Sequence, residues 1–247
     1  MSNHSGIVPV SDAPEAWLEQ TPYVDHAHRN ILSIVEDKIP VRASPRARSL
    51  AAFHYVRDEV KFGFARGFWD MPASRVAALG IGYCNTKSTL FVALLRAAGV
   101  PARQVFVDID AAVLSGLVNP GTAYVDHSYV EVWLDGAWRA TDAYIVDPPL
   151  FRVAQRRLQQ EDRVLGYGAH QTGTLHWDGE QPAFSQFNAL DPRPISQRHW
   201  GAFQDVGDFY RRVPDTHNRL NPLLRISFEL LALQANRAAD GLRRMDT

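Results

Sequence analysis

The sequence predicts a mixed fold of helices and antiparallel strands, and three observations support this prediction. Several segments on both sides of the middle of the chain repeat apolar residues at helical spacing. Residues 127–142 alternate like two strands and contain Asp135-Gly136, a preferred two-residue hairpin turn. The 247 residues are enough to bury a sizeable core, most simply as one domain with an elaborated end.

The composition excludes several classes of protein. Lysine and arginine number 26 against 27 aspartate and glutamate, a formal net charge of −1, and the charges are spread along the chain. This balance argues against a nucleic acid or an anionic membrane surface as the main partner. The first residues lack a signal-peptide pattern, and no apolar window is long enough to cross a membrane. We therefore expect a cytoplasmic protein without a membrane anchor.

The first half of the chain predicts helices. One apolar stripe runs from Val24 to Val35 and ends before Pro40, and a second follows Pro45 as far as Val60. A glycine-containing loop with Trp69 comes next, since the helical period breaks there.

Two further helices precede the first strand. Residues 73–79 read as a short helix stopped by Gly80, and a longer helix runs from Cys84 until Gly99 and Pro101 end it. Cys84 is therefore expected at a helix start. Residues 102–109 are β-branched and alternating, which predicts a strand.

The hairpin register can be worked out from its turn. If Asp135-Gly136 is a two-residue turn, Tyr129 lies opposite Asp142, and His127 and Asp142 become diagonal neighbours on one face. A carboxylate can reach an imidazole nitrogen across that gap. A three-residue loop would shift this register.

The second half is less regular. Residues 150–161 predict a helix, and a Gly/Pro-rich irregular stretch follows over 166–194. Residues 200–212 predict another helix, and Asn221 is expected to cap a last helix that begins at Pro222 and runs towards Arg244.

Cys84 is the single cysteine, so an intramolecular disulfide, a Cys-rich zinc site and a Cys-x-x-Cys pair are excluded. A thiol at a helix N-terminus lies near a partial positive charge and unsatisfied N–H groups, which favours a nucleophile. With His127 as base and Asp142 to orient it, the roles of a thiol acyl-transfer triad are filled. The alternative is an inert buried cysteine, because Cys84 shares a helical stripe with Leu90 and Phe91.

Three segments resemble the transglutaminase-like superfamily, relatives of the papain-like cysteine proteases. Gly82-Tyr83-Cys84-Asn85-Thr86-Lys87 and the run from Leu90 to Arg103 resemble its nucleophile segment. The strands 127–132 and 138–142 resemble its histidine and aspartate strands, in the same chain order. The resemblance implies that Cys84, His127 and Asp142 are nucleophile, base and orienting group. Tyr129 and Ala143 depart from residues frequent in the family, which puts substrate preference in doubt.

The resemblance also implies the architecture. It predicts an α+β fold with a papain-like core, in which the Cys-bearing helix packs on an antiparallel sheet, with helical N- and C-terminal extensions. It covers about residues 45–145. We expect a single domain over 1–247, with a helical lead (1–44), a catalytic core (45–147) and a C-terminal extension (148–247). Calcium-dependent members use acidic clusters that we do not find here, so we expect no metal and no cofactor.

The family further implies a side-chain donor to the oxyanion. Trp69 and Tyr83 are the candidates, although either could equally be a core aromatic. Lys87 falls one turn after Cys84, where a cation could favour the thiolate, but a snorkelling or paired lysine is the commoner case.

The predicted function is thiol-dependent acyl transfer through a thioester, with hydrolysis of an amide or peptide bond as first choice. The alternatives are a transamidase, acyltransferase or cyclase with an amine or carbanion acceptor, or a non-catalytic peptide-binding module on the same fold. The partner would be a small-molecule, peptide or carrier-bound acyl substrate. We expect residues 110–126 and 166–194 to shape its pocket.

Overall fold

The computed structural model describes residues 12–187, 195–213, 216 and 222–246. Its helices are α1 (Arg29–Lys38), α2 (Pro45–Glu59), α3 (Ala73–Leu79), α4 (Cys84–Ala97), α5 (Pro148–Gln160), α6 (Val206–Arg212) and α7 (Pro222–Arg243). Its strands are β1 (Lys61–Phe62), β2 (Ile81–Gly82), β3 (Ala102–Asp110), β4 (Tyr124–Leu134), β5 (Ala137–Thr141), β6 (Leu165–Gly166), β7 (Ala169–His170) and β8 (Ile195–Phe203). Short 3₁₀ helices span Pro14–Trp17 and Ala111–Leu114.

The main sheet has four antiparallel strands in the order β5-β4-β3-β8. The β4–β5 hairpin has the predicted two-residue register, with Leu134 paired to Ala137 and Val130 to Thr141. Asp135 and Gly136 both have positive φ, at 52° and 78°. This is the backbone that such a turn requires, and an Asp-Gly pair adopts it at low cost.

Helix α4 is the centre of the core. Its residues from Cys84 to Arg96 are all buried, and it contacts β3 and β4 on one side and α1, α2 and α3 on others. Its buried polar residues are hydrogen-bonded, as burial requires: the hydroxyl of Thr89 donates to the carbonyl of Asn85 at 2.9 Å. The predicted α+β fold, with the Cys-bearing helix on an antiparallel sheet, is confirmed.

Local signals place the helix ends. The side chain of Ser44 accepts from the backbone N–H of Ala47 and caps α2, whose first residue is Pro45. Helix α3 ends at Gly80, which has the left-handed backbone (φ 62°) of a helix C-terminus. Ser44 thus fixes the start of α2, and Gly80 fixes the chain direction just before β2 and α4.

Three sequence predictions need correction or lie outside the described residues. The first helix begins at Arg29 and not near Val24, because the side chain of His28 accepts from the N–H of Asn30 and caps it. Residues 200–203 are not helical, since they belong to β8 and pair with β3, and α6 begins only at Val206. Asn221, the predicted cap of the last helix, lies outside the described residues.

The C-terminal helix α7 is fastened to the core by polar contacts. Asn236 accepts from the N–H of Phe64 and donates to its carbonyl, both at 2.8 Å. Arg243 donates to the carbonyl of Phe62 and to the buried carboxylate of Asp147, both at 2.6 Å. Within the part of the chain that the structure describes, no helix has the length and apolar content needed to span a membrane.

Candidate active site

Cys84 occupies the first turn of α4 because the chain turns sharply before it. β2 pairs in parallel with β1, and Tyr83 follows in an extended conformation as the N-cap residue. Gly82 allows this approach, since a Cβ there would lie 2.8 Å from Oγ1 of Thr86. The thiol is therefore presented at the positive end of a long buried helix.

The immediate contacts of the thiol are polar. Sγ of Cys84 lies 3.6 Å from Oδ1 of Asn85 and 4.0 Å from the carbonyl oxygen of Asp126. Cys84 remains 8% exposed, whereas His127 and Asp142 are fully buried. Of these three residues, only Cys84 keeps accessible surface.

The hairpin brings His127 and Asp142 together, as its register predicts. Nε2 of His127 lies 3.2 Å from Oδ2 of Asp142, with angles short of an ordinary hydrogen bond. The other carboxylate oxygen, Oδ1, accepts from the backbone N–H of Ser185 and, at 3.0 Å, from its hydroxyl. The rings of Phe187 and His127 are perpendicular, with their centroids 5.8 Å apart. The imidazole is thus held between a carboxylate and an aromatic ring.

The electrostatics of this group favour a charged imidazole. Burial alone would lower the pKa of His127, but the Asp142 carboxylate and the Cys84 thiol beside the ring raise it to about 9. At neutral pH the imidazole is therefore mostly protonated. A protonated imidazole beside the thiol can give a proton to a reacting group.

An apolar cavity opens beside the thiol. Its volume is about 680 Å³, its open mouth included. Cys84 and His127 form part of its wall. The other lining residues are Phe62, Phe64, Phe68, Tyr83, Ile109, Val113, Leu114, Val118, Pro120, Val125, Asp126, Gln186, Leu231, Ala232 and Ala235. The stretch 110–126 therefore shapes the pocket as predicted, and the stretch 166–194 contributes Gln186 to its wall.

The two predicted oxyanion donors lie in different places. Tyr83 lines the cavity, and its buried hydroxyl has no hydrogen-bond partner among the described residues. Burial, with Cys84 and Asp126 nearby, raises the pKa of Tyr83 well above its usual value, so the hydroxyl keeps its proton. Trp69 does not line this cavity and instead stacks on Tyr210, with ring centroids 4.2 Å apart.

Lys87 lies inside the core and not at the surface. It is 0% exposed, and its ammonium donates to the carbonyl of Val60 at 2.6 Å. The side chain therefore does not snorkel, and its hydrogen-bond partner is a backbone carbonyl and not a carboxylate. Within the described residues, no group of three or more His, Cys, Asp or Glu side chains could hold a metal ion.

Sequence reasoning missed three parts of this site. Ser185 anchors Asp142, Tyr210 of α6 bonds to Asn85 beside the thiol, and α7 supplies one wall of the cavity. These parts lie in segments that carry no local motif. Their roles depend on contacts between residues far apart in sequence.

Comparisons with known proteins find a family model and a solved structure that are similar to this chain. The family model of the transglutaminase-like superfamily matches residues 35–143. No curated protein matches the chain. A solved structure, a "Putative Cysteine Protease" from Cytophaga hutchinsonii, is similar with a TM-score of 0.47 and 14% sequence identity. That alignment covers 81% of this chain and 50% of the other, so this chain spans about half the length of that neighbour.

Proposed function

Residues 35–143 of the chain belong to the transglutaminase-like superfamily, and from this premise we propose that the protein is a thiol-dependent enzyme that hydrolyses an amide or peptide bond. Cys84 is the nucleophile, His127 the acid and base, and Asp142 the group that orients the imidazole. One observation carries the proposal: a thiol at a helix start shares a cavity wall with an imidazole that lies 3.2 Å from a buried carboxylate.

The acylation step uses the protonated imidazole. The thiolate of Cys84 attacks the acyl carbonyl, so an S–C bond forms and the carbonyl electron pair moves onto oxygen. When the tetrahedral intermediate collapses, the C–N bond breaks and His127 gives its proton to the leaving amine. A thioester and a neutral imidazole remain.

Deacylation restores the starting state. The neutral His127 takes a proton from water as the water oxygen attacks the thioester carbonyl. The C–S bond then breaks, the acid leaves, and the thiolate and imidazolium are regenerated. Water is the acceptor we propose because it requires no second substrate site.

The oxyanion formed in both steps needs hydrogen-bond donors. The first N–H groups of a helix have no partner within the helix, so the backbone N–H of Cys84 at the start of α4 is one donor. The Tyr83 hydroxyl is the second, because it is buried, protonated and without a partner among the described residues. Trp69 is the weaker candidate, since it lies outside the cavity wall.

Alkylation of the single cysteine tests the proposal. Intact mass would follow the reaction of iodoacetamide with wild type, His127→Ala and the control His54→Ala, an exposed histidine on α2. At pH 7 we expect wild type and the control to react at least roughly tenfold faster than His127→Ala, which lacks the imidazolium. Equal rates in all three proteins would make Cys84 structural and favour a binding module.

A second measurement identifies the acceptor. Turnover of an amide in isotopically labelled water should place one labelled oxygen in the released acid, and Cys84→Ala should abolish turnover. Transfer of the acyl group to an added amine, without incorporation of the label, would instead show a transamidase.

A further inference from the structure

Three separate parts of the chain build the wall of the cavity beside Cys84. On one side, the ring of Phe68 stacks on Tyr83 at 4.8 Å and on Phe64 at 5.9 Å. Aliphatic residues of the segment 109–125 form a second side, and Leu231, Ala232 and Ala235 of α7 form the third. We propose that this cavity binds the acyl part of the substrate, and that this part is an uncharged apolar group. This inference rests on the proposed role of Cys84 as nucleophile.

Two polar side chains in the wall, those of Asp126 and Gln186, are already engaged. The carboxylate of Asp126 accepts from the hydroxyl of Tyr210 at 3.3 Å, and the amide nitrogen of Gln186 donates to the carbonyl of Gly168 at 2.7 Å. The lining contains neither lysine nor arginine among the described residues. The imidazole of His127 is the cationic group of the wall and already faces the carboxylate of Asp142. A carboxylate on the acyl group would therefore lose its hydration here without a free counter-charge, which is costly. An alkyl or aryl group would gain by leaving water.

The wall formed by α7 is held in place. Asn236 bonds to both backbone groups of Phe64, and Arg243 bonds to the carbonyl of Phe62. Both phenylalanines line the cavity, so the same contacts fix the aromatic side and the helical side relative to each other. Ala232 and Ala235 are the small residues that α7 turns towards the cavity.

Alkylation with matched reagents tests the inference without knowledge of the substrate. The probes are iodoacetamide, N-hexyl iodoacetamide and N-carboxypentyl iodoacetamide. For each probe, the rate of Cys84 alkylation is divided by the rate at which the same probe alkylates N-acetylcysteine. The hexyl reagent should modify Cys84 at least roughly tenfold faster than iodoacetamide, because its chain is buried on binding. The carboxypentyl reagent should show no such gain. Equal rates for the hexyl and carboxypentyl reagents would overturn the inference.

Two variants of α7 locate the effect. Ala232→Phe places a ring in the cavity and should remove the preference for the hexyl reagent. Leu233→Phe, at an exposed neighbouring position, is the matched control and should keep the preference. If Ala232→Phe has the melting temperature of wild type and still prefers the hexyl reagent, the hexyl group binds outside this cavity. If Ala232→Phe fails to fold, the wild-type comparison still decides.

The two proposals fail in different ways. If His127→Ala reacts with iodoacetamide as fast as wild type, the proposed catalytic role is wrong, whatever the preference for hexyl. If His127→Ala is slow but the hexyl reagent has no advantage, only the apolar pocket is wrong.

An apolar acyl group could come from a fatty-acyl amide or from an apolar residue of a peptide. Hexanoyl p-nitroanilide and acetyl-leucyl p-nitroanilide distinguish these sources by the release of p-nitroaniline. Preference for either over acetyl-glutamyl p-nitroanilide supports the inference, and preference for the glutamyl compound contradicts it.

Discussion

Asn85 donates a 2.9 Å hydrogen bond from its side-chain amide to the hydroxyl of Tyr210. The same hydroxyl donates to the carboxylate of Asp126 at 3.3 Å. Asn85 directly follows Cys84, and Asp126 directly precedes His127. Tyr210 therefore links the helix that carries the thiol to the strand that carries the imidazole, and we predict that it positions the two groups.

Tyr210→Phe tests this link. The ring and its stacking on Trp69 are kept, while both hydrogen bonds are lost. We expect the turnover number to fall about three- to tenfold with a smaller change in KM, and the free energy of unfolding to fall by about 1 kcal/mol. Steady-state kinetics and urea unfolding would measure these changes. Tyr55→Phe on α2 is the control. Equal turnover numbers for wild type, Tyr210→Phe and Tyr55→Phe would refute the positioning role.

The titration of His127 gives a second prediction. Its pKa lies at about 9 because the neighbouring carboxylate and thiol outweigh burial. Asp142→Asn removes one of these groups and Cys84→Ala the other, so the pKa of His127 should fall in both variants. Nuclear magnetic resonance of the imidazole signals against pH measures this directly. A histidine that titrates at the same pH in both variants and in wild type would show that neither neighbour acts on it.

This titration also predicts a pH dependence of stability. The pKa of His127 in the folded protein lies above its ordinary value of 6.5. The protonated imidazole therefore contributes its full stabilisation below about pH 6.5. It is lost as the pH rises through about 9. In urea unfolding, Asp142→Asn should therefore lose more stability relative to wild type at pH 6 than at pH 10.

Local rules of sequence explain which parts of the fold could be predicted. The turn at Asp135-Gly136 fixes the hairpin register, and Gly80 fixes the end of α3, because each depends on a few adjacent residues. The contact between His127 and Asp142 follows directly from that register.

Long-range pairing explains the failures. Residues 200–203 contain apolar residues that fit a helix, but hydrogen bonds to β3, a strand about a hundred residues earlier, make them a strand. Ser185 lies 43 residues from Asp142, and Tyr210 lies 125 residues from Asn85. No local pattern in a single sequence specifies contacts at such separations.

Lys87 gives a prediction about stability. Burial lowers its pKa from the ordinary value of 10.5 to about 7. Between these two values the unfolded chain binds more protons than the folded chain, so the free energy of unfolding of wild type rises with pH. Lys87→Met lacks this dependence. The stability of the variant relative to wild type should therefore decrease by at most about 1.4 kcal/mol per pH unit from pH 7 upwards.

Urea unfolding at pH 6, 8 and 9 measures this difference. At pH 6 the variant should be at least as stable as wild type, because methionine replaces a buried ammonium. At pH 9 it should be less stable, since the carbonyl of Val60 loses its hydrogen-bond donor. The exposed Lys61→Met is the control, with an effect below about 0.5 kcal/mol. A difference that does not change with pH would mean that Lys87 keeps its charge in the folded protein.

An ion pair between Arg243 and Asp147 attaches α7 to the core. The carboxylate of Asp147 is 4% exposed and accepts from Arg243 and from the backbone N–H of Phe62. Arg243→Met leaves this carboxylate buried without its counter-charge and removes the donor to the carbonyl of Phe62. We expect a loss of about 3–5 kcal/mol in the free energy of unfolding, against less than about 0.5 kcal/mol for the exposed Arg244→Met.

The same variant connects stability to the site. Because Arg243 and Asn236 hold α7 against the phenylalanines of the cavity wall, Arg243→Met should also weaken the preference of Cys84 for the hexyl reagent. Asp147→Asn on the Arg243→Met background removes the unpaired carboxylate and should recover part of the stability without restoring the preference. A double variant that regains both would show that the buried charge, and not the lost bond to the Phe62 carbonyl, had displaced the helix.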